Sequence, residues 1–268
     1  MMQDVWLSRH SYLRPLAELH ALVNDTLADS PTAVGVDLNW DSYLDDFQRG
    51  VPLLRSPSGE EALVLAEGMI EMPLEKLISS LRGKLAEEGN ASLTEIYDGA
   101  HSSERVVDWL LGGGEFARPR LLRFLGWTIL SRQMRPLVRA FAGWRKDERW
   151  LRPYCPTCGS PPAMAQLVGT DPGRQRFLTC GCCQTRWQFR RTRCPFCEDP
   201  DDHRLSVLAV EGEGGLRIDY CESCRGYLKT YDGEGSESVL LADWTSIHLD
   251  VVATDRGLKR LAGSVYEI

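Results

Sequence analysis

The sequence predicts an α+β fold: an all-α N-terminal domain, two small β modules of zinc-ribbon type and a C-terminal helical segment. Three observations predict it. Apolar residues recur at helical spacing through roughly the first 145 residues. Four Cys-x-x-Cys pairs fall between Cys155 and Cys224. Short alternating stretches surround those pairs, and helical periodicity returns after Ser238. The expected segments are 1–150 (helical domain), 151–190 (first four-cysteine module), 191–236 (second four-cysteine module) and 237–268 (C-terminal helical segment).

Tyr12, Leu16, Leu19, Val23 and Leu27 recur at i, i+4, i+7, i+11 and i+15, one apolar stripe of a helix. Residues 30–58 are poorer in pattern and carry Pro31, Pro52 and Pro57, so they read as connection with a short helix near Trp40–Phe47. Pro73 reads as the opening of a helix whose face is Leu74, Leu77, Ile78, Leu81 and Leu85. Ser92-Leu93-Thr94-Glu95 fits a capping box that starts another, and Gly112-Gly113-Gly114 stops it. Over 118–146, Leu122, Leu125 and Ile129 line one side. Met134, Leu137, Phe141 and Trp144 continue it past a bend at Pro136, with Arg132, Arg135 and Arg139 on another face. These helices suffice for a bundle with its own core.

The pattern changes at Arg152-Pro153. Strands are expected at Met164–Val168, Arg176–Leu178, Thr185–Phe189, Leu205–Val210, Leu216–Tyr220 and Tyr227–Thr230. Beyond Ser238, Leu240, Trp244, Ile247 and Val251 share a helical face.

The knuckles are Cys155-Pro-Thr-Cys158, Cys180-Gly-Cys-Cys183, Cys194-Pro-Phe-Cys197 and Cys221-Glu-Ser-Cys224, separated by 21, 10 and 23 residues. A two-residue spacer lets both sulfurs of a knuckle turn toward one ion while backbone N–H groups spread their charge. The long gaps can each hold a hairpin and the short gap a link. This favours Cys155, Cys158, Cys180 and Cys183 on one metal and Cys194, Cys197, Cys221 and Cys224 on another, with an interleaved pairing as the alternative. Each module is too small for an apolar core to hold it alone, so metal binding is expected to be coupled to its folding. A tetrahedral four-sulfur set selects zinc or iron; the cysteines by themselves put structural zinc first. Neither centre would leave a coordination position open, which disfavours metal-assisted hydrolysis. Cys182, the ninth cysteine, reads as a bystander, the alternatives being ligand exchange or a thiol activated by the metal and Arg186.

The net charge of −7 is unevenly distributed. Residues 1–115 carry −12, residues 116–193 carry +13 and residues 194–268 carry −8. Such blocks suit internal docking, charged partners or a solvated Arg-rich face. No apolar run reaches membrane-spanning length, so no membrane insertion is expected. The first residues lack a basic start followed by an apolar core, which makes the cytoplasm the expected compartment. The Asp199–Asp202 run reads as a solvated turn. Phosphate-loop, G-x-S-x-G and His-Glu-x-x-His patterns are missing, and His10, His20, His101, His203 and His248 are scattered without knuckle spacing. No catalytic constellation stands out, and the chain is not expected to be an enzyme.

Several segments together resemble the formate dehydrogenase accessory protein (FdhE) family. They are Tyr154-Cys-Pro-Thr-Cys-Gly-Ser-Pro161, Cys180-x-x-Cys-x-x-x-Trp187, Arg193-Cys-x-x-Cys197, Cys221-x-x-Cys-x-x-Tyr-Leu-Lys229 and Leu241-Ala-Asp-x-x-Ser-x-x-Leu-Asp250. The resemblance covers about 100 residues in order, and implies a helical domain followed by two rubredoxin-like modules with all eight knuckle cysteines as ligands. It implies one iron ion in each centre, with zinc as the alternative. It also implies a cytoplasmic maturation role on the catalytic subunit of a respiratory formate dehydrogenase, which carries a molybdenum cofactor and a twin-arginine signal. Two other functions compete. Arg186, Arg190, Arg191 and Arg193, interleaved with Trp187 and Phe189, would suit a zinc ribbon that binds nucleic acid, although a pI near 5.4 disfavours it. Iron in both centres would suit a rubredoxin-like electron-transfer protein.

Overall fold

A computed structural model of the chain describes residues 2–30, 32, 38–85, 87, 91, 93, 103–111, 119–170, 172–198, 204–233 and 242–264. The chain opens with helix α1 (Met2–Arg9), a 3-10 turn (Ser11–Leu13) and α2 (Arg14–Thr26), with Pro15 in the first turn of α2. The buried side chains here are Trp6, Leu13, Ala17, Val23 and Leu27, whereas Tyr12 is 56% exposed. The expected stripe is therefore corrected at its start. The tighter 3-10 turn shifts the phase of the chain by one residue as it enters α2.

Helix α3 (Trp40–Arg49) occupies the expected short-helix region. Asn39 caps it by accepting from the Asp41 N–H at 3.1 Å, and Gly50, at φ +83°, ends it. Helix α4 runs from Glu60 to Leu81, so Pro73 lies inside it rather than at its start. Proline cannot donate to the carbonyl four residues back, which is that of Met69. Gln133 supplies the missing donor, its Nε2 lying 2.7 Å from the Met69 oxygen. Leu74, Leu77, Ile78 and Leu81 are buried as the pattern predicts. Helix α5 covers Ser103–Leu110; Ser92, Thr94 and Glu95 of the capping box, Gly112–Gly114 and the Asp199–Asp202 run lie outside the described residues. Helices α6 (Pro119–Gln133) and α7 (Arg135–Trp144) break at Met134, just before Pro136, and a short α8 (Asp147–Trp150) leads to the first knuckle.

The strands are β1 (Pro162–Val168), β2 (Gln175–Cys180), β3 (Arg186–Phe189), β4 (Leu205–Ala209), β5 (Leu216–Cys221) and β6 (Tyr227–Asp232). They form one sheet in the order β3-β2-β1-β6-β5-β4. Each module contributes an antiparallel three-stranded meander, and the two are joined by parallel pairing of β1 with β6, from Met164 opposite Lys229 to Leu167 opposite Asp232. Strand β1 is buried along most of its length, as befits a strand at the centre of such a sheet.

Two cores result, and they cut across the sequence segments. The larger merges the helical bundle with Cys155, Cys158, Cys180, Cys183, Trp187 and Phe189. The smaller packs Trp6 and Leu13 from the N-terminus against Ile218, Tyr227, Leu249 and Ala253 of the second module and C-terminal helix. The Trp6 indole N–H donates to the Thr245 carbonyl at 3.1 Å, fastening the two chain ends together.

A 3-10 turn (Asp243–Ser246) precedes helix α9 (Ile247–Asp255); Leu240 lies outside the described residues. The expected face is corrected here too. Val251 is 47% exposed, while Leu249, Asp250 and Ala253 are buried. Asp250 turns inward because two cations wait there. Lys229 lies 2.7 Å from its Oδ2 and Arg260 lies 2.8 Å from its Oδ1. Among the described residues, no helix is long and apolar enough to cross a membrane.

Candidate metal centres

The four knuckles share one local geometry. The residue following the second cysteine is left-handed in each: Gly159 at φ +83°, Gln184 at +61°, Glu198 at +51° and Arg225 at +61°. This reverses the chain so that both sulfurs face one point. The reversal is closed by N–H bonds from Gly159 to the Cys155 carbonyl (2.9 Å), from Glu198 to Cys194 (3.0 Å) and from Arg225 to Cys221 (2.9 Å). Backbone N–H groups of Thr157, Phe196 and Gly226 point at the sulfurs of Cys155, Cys194 and Cys224, each at 3.4 Å. Such donors disperse thiolate charge.

The hairpins bring the knuckles together in sequential pairs. Sulfurs of Cys155, Cys158, Cys180 and Cys183 lie within 4.8 Å of one another, and those of Cys194, Cys197, Cys221 and Cys224 form a second such group. Cys155 to Cys183 and Cys158 to Cys180 are each 3.5 Å apart. Cys194 to Cys224 and Cys197 to Cys221 are each 3.7 Å apart. Metal–sulfur bonds of about 2.3 Å at tetrahedral angles place sulfurs about 3.8 Å apart. A disulfide requires about 2.05 Å, and all nine cysteines are free. Both groups could therefore hold a metal ion, and the donor chemistry suits zinc and iron alike.

Ionisation within each group points the same way. Hydrogen bonds from Cys155, Cys180, Cys182 and Cys183 hold the Cys158 thiol well below its ordinary range. Burial, then the neighbouring sulfurs, pushes Cys180 and Cys183 well above it. In the second group burial raises Cys194; burial acts in the same direction on Cys221, but hydrogen bonds from the backbone N–H groups of Cys224 and Ser223 and from the Cys197 and Cys194 thiols together lower it. One thiolate suppresses the next until a cation compensates them.

The two centres differ in surroundings. The first is buried in the main core, where the hydroxyl of Thr185 lies 3.1 Å from the Cys183 sulfur and 2.7 Å from Thr157 Oγ1. A cavity of about 200 Å³ reaches it beside Cys180, between Trp127 and Trp244. The second lies at the surface: Cys197 is exposed and Cys224 half-buried.

Cys182 is buried, and its thiol is raised by its hydrogen bond to Cys158 and by burial. Arg186 does not activate it, since that guanidinium stacks 3.9 Å over Phe177 and donates to Gln166 Oε1 at 2.9 Å. The surface proposed for nucleic acid is also corrected. Trp187 and Phe189 are buried and present no stacking face, because alternation along β3 turns both toward the core. Several arginines of the basic block serve internal carbonyls: Arg176 donates to those of Arg190 and Arg193, and Arg132 to that of Ala28.

Tyr227, Lys229, Asp243, Ser246 and Asp250, which carry part of the family resemblance, form one buried ionic cluster in space. Lys229 Nζ lies 2.6 Å from Asp243 Oδ1 and 2.7 Å from Asp250 Oδ2, and 3.4 Å from the Ser246 carbonyl. The Tyr227 hydroxyl donates to Asp250 at 2.7 Å, and Arg260 bridges both aspartates. This cluster clamps the C-terminal segment onto β6, the strand following the last knuckle.

Known proteins place the chain in context. A family model, the central domain of FdhE, matches residues 154–191. A "Protein FdhE homolog" of Aquifex aeolicus is 30% identical over 213 residues, covering 76% of this chain and 73% of that protein. One of Pseudomonas aeruginosa is 27% identical over 261 residues, covering 93% and 81%. The crystal structure of the FdhE protein from Pseudomonas aeruginosa superposes with a TM-score of 0.64 at 22% identity, covering 95% of this chain and 88% of that one. That likeness extends the shared fold to almost the whole chain.

Proposed function

The chain belongs to the FdhE family, and from that premise we propose that it is a formate dehydrogenase accessory protein that binds the dehydrogenase's catalytic subunit in the cytoplasm and assists its maturation. The observation that carries the reading is the pair of saturated four-cysteine groups, Cys155, Cys158, Cys180, Cys183 and Cys194, Cys197, Cys221, Cys224. With four protein sulfurs each, neither group leaves a position for substrate, which suits a protein that acts on another protein. We assign iron to both. Iron bound there would supply one-electron redox chemistry.

The residues of the chain itself divide the work. The first group lies within the core and fixes β1 and β2 to the helical bundle, the backbone N–H groups of Leu53 and Leu54 donating to the carbonyls of Pro156 and Thr157 at 2.9 Å each. The second group, with Cys197 at the surface, is the one a partner could touch. The acidic residues 1–115 supply a counter-charge for a basic signal segment of the catalytic subunit.

The test is co-purification of the full chain with a catalytic subunit, carried out with and without its signal segment and with metal analysis of the chain as isolated. Co-purification that weakens on signal removal, with iron in the chain, is the expected result. Failure to bind either form would end the accessory reading. Undiminished binding without the signal would end only the assignment of the acidic half as its receptor.

A further inference from the structure

We propose a third metal site, built from His10, Glu213 and His248, that takes a divalent transition-metal cation of the zinc type. The three residues come from the turn after α1, the turn between β4 and β5, and the first turn of α9. One ligand atom from each lies within 4.8 Å of the others. Glu213 Oε1 is 2.9 Å from His248 Nε2 and 3.6 Å from His10 Nε2. Zinc bonds to nitrogen and oxygen of about 2.0–2.2 Å at tetrahedral angles put donors about 3.3–3.6 Å apart.

Side-chain environment argues for a ligand here. The Glu213 side chain is only 8% exposed, and its Oε2 is buried without a hydrogen-bond partner among the described residues. His248 Nδ1 is likewise buried without a hydrogen-bond partner among the described residues, while Nε2 meets the Glu213 carboxylate at 2.9 Å. Leaving Glu213 Oε2 and His248 Nδ1 unsatisfied is costly, and a cation held by the carboxylate would compensate its buried charge. His10 is oriented for the purpose. Its Nδ1 sits 3.0 Å from the Tyr12 hydroxyl, and with Nδ1 protonated the Nε2 lone pair faces Glu213. That is the usual outer support of a metal-binding imidazole.

Two imidazoles and a carboxylate form a donor set distinct from the sulfur groups, and three protein ligands leave a coordination position open. The ion would also tie the N-terminus, the second module and the C-terminal helix together beside the contact of Trp6 with Thr245.

The test loads the sulfur centres of the full chain, equilibrates it with Zn²⁺, and measures bound metal by elemental analysis after gel filtration. Wild type is expected to retain one zinc equivalent more than Glu213→Gln, His248→Gln or His10→Gln. Added Zn²⁺ is expected to raise the Tm of wild type and leave that of the variants unmoved. In Co²⁺-loaded protein, thiolate-to-cobalt absorption of unchanged intensity shows that a variant keeps its sulfur centres and its fold. Equal zinc content in wild type and in variants that pass this check would overturn the site, as would a wild type whose Tm ignores Zn²⁺.

Discussion

Gln133 donates from α6 to the carbonyl of Met69 in α4, at 2.7 Å, the acceptor that Pro73 leaves without its own helical N–H. A side chain from one helix thus repairs the backbone of another, and an uninterrupted 22-residue helix passes through a proline.

Gln133→Ala should therefore cost about 1–3 kcal/mol, the penalty for orphaning a buried acceptor. Pro73→Ala restores the intrahelical donor, so the same glutamine change in that background should cost measurably less. Chemical denaturation of the four proteins gives the coupling directly. A cycle without coupling would mean that Gln133 does not compensate for Pro73.

The left-handed residues of the knuckles make a second case. Glu198, at φ +51°, carries a side chain where glycine fits without strain. Glu198→Gly should stabilise the second module by about 1 kcal/mol, and Glu198→Val should destabilise it by at least as much. Thermal unfolding of the metal-loaded protein reads both signs.

Removing one partner from the buried cluster of Lys229, Asp243, Asp250 and Arg260 should be severe. Asp250→Ala leaves Lys229, 1% exposed, with half its compensation, at a cost of about 3–5 kcal/mol. Limited proteolysis should then release the C-terminal segment first.

The same cluster sets a pH dependence. Burial alone would raise the Asp243 carboxyl, but Lys229 and then Arg260 pull it well below its ordinary value of 3.8. A depressed folded-state value contributes stability that is fully present above the unfolded value and lost as pH falls through the folded one. The contribution of Asp243, measured as the difference between wild type and Asp243→Asn, should be constant from neutral pH to about pH 5 and shrink only in stronger acid.

The two sulfur centres should also separate on metal removal. A chelator should strip the group containing exposed Cys197 first and leave the helical core intact. Cys155→Ser, inside the main core, should destabilise helices as well as strands. Cys182→Ala should leave metal content unchanged. Circular dichroism with metal analysis distinguishes the three outcomes.

The knuckles, the strands and most of the helices are legible in the order of residues alone, because those features follow from spacing over a few residues. Four Cys-x-x-Cys pairs and six alternating stretches needed no knowledge of what lay elsewhere in the chain. Tertiary structure decided what depends on residues distant in sequence. Pro73 reads as a helix start until Gln133 is seen beside Met69. Asp250 reads only as part of the segment that carries the family resemblance until Lys229 and Arg260 enclose it. The parallel pairing of β1 with β6 makes one sheet from two modules, and the packing of the chain ends on the second module brings His248 to His10 at Glu213. Local periodicity records which face of an element is apolar. It carries no record of a buried charge or an imidazole whose partner arrives from the far end of the chain.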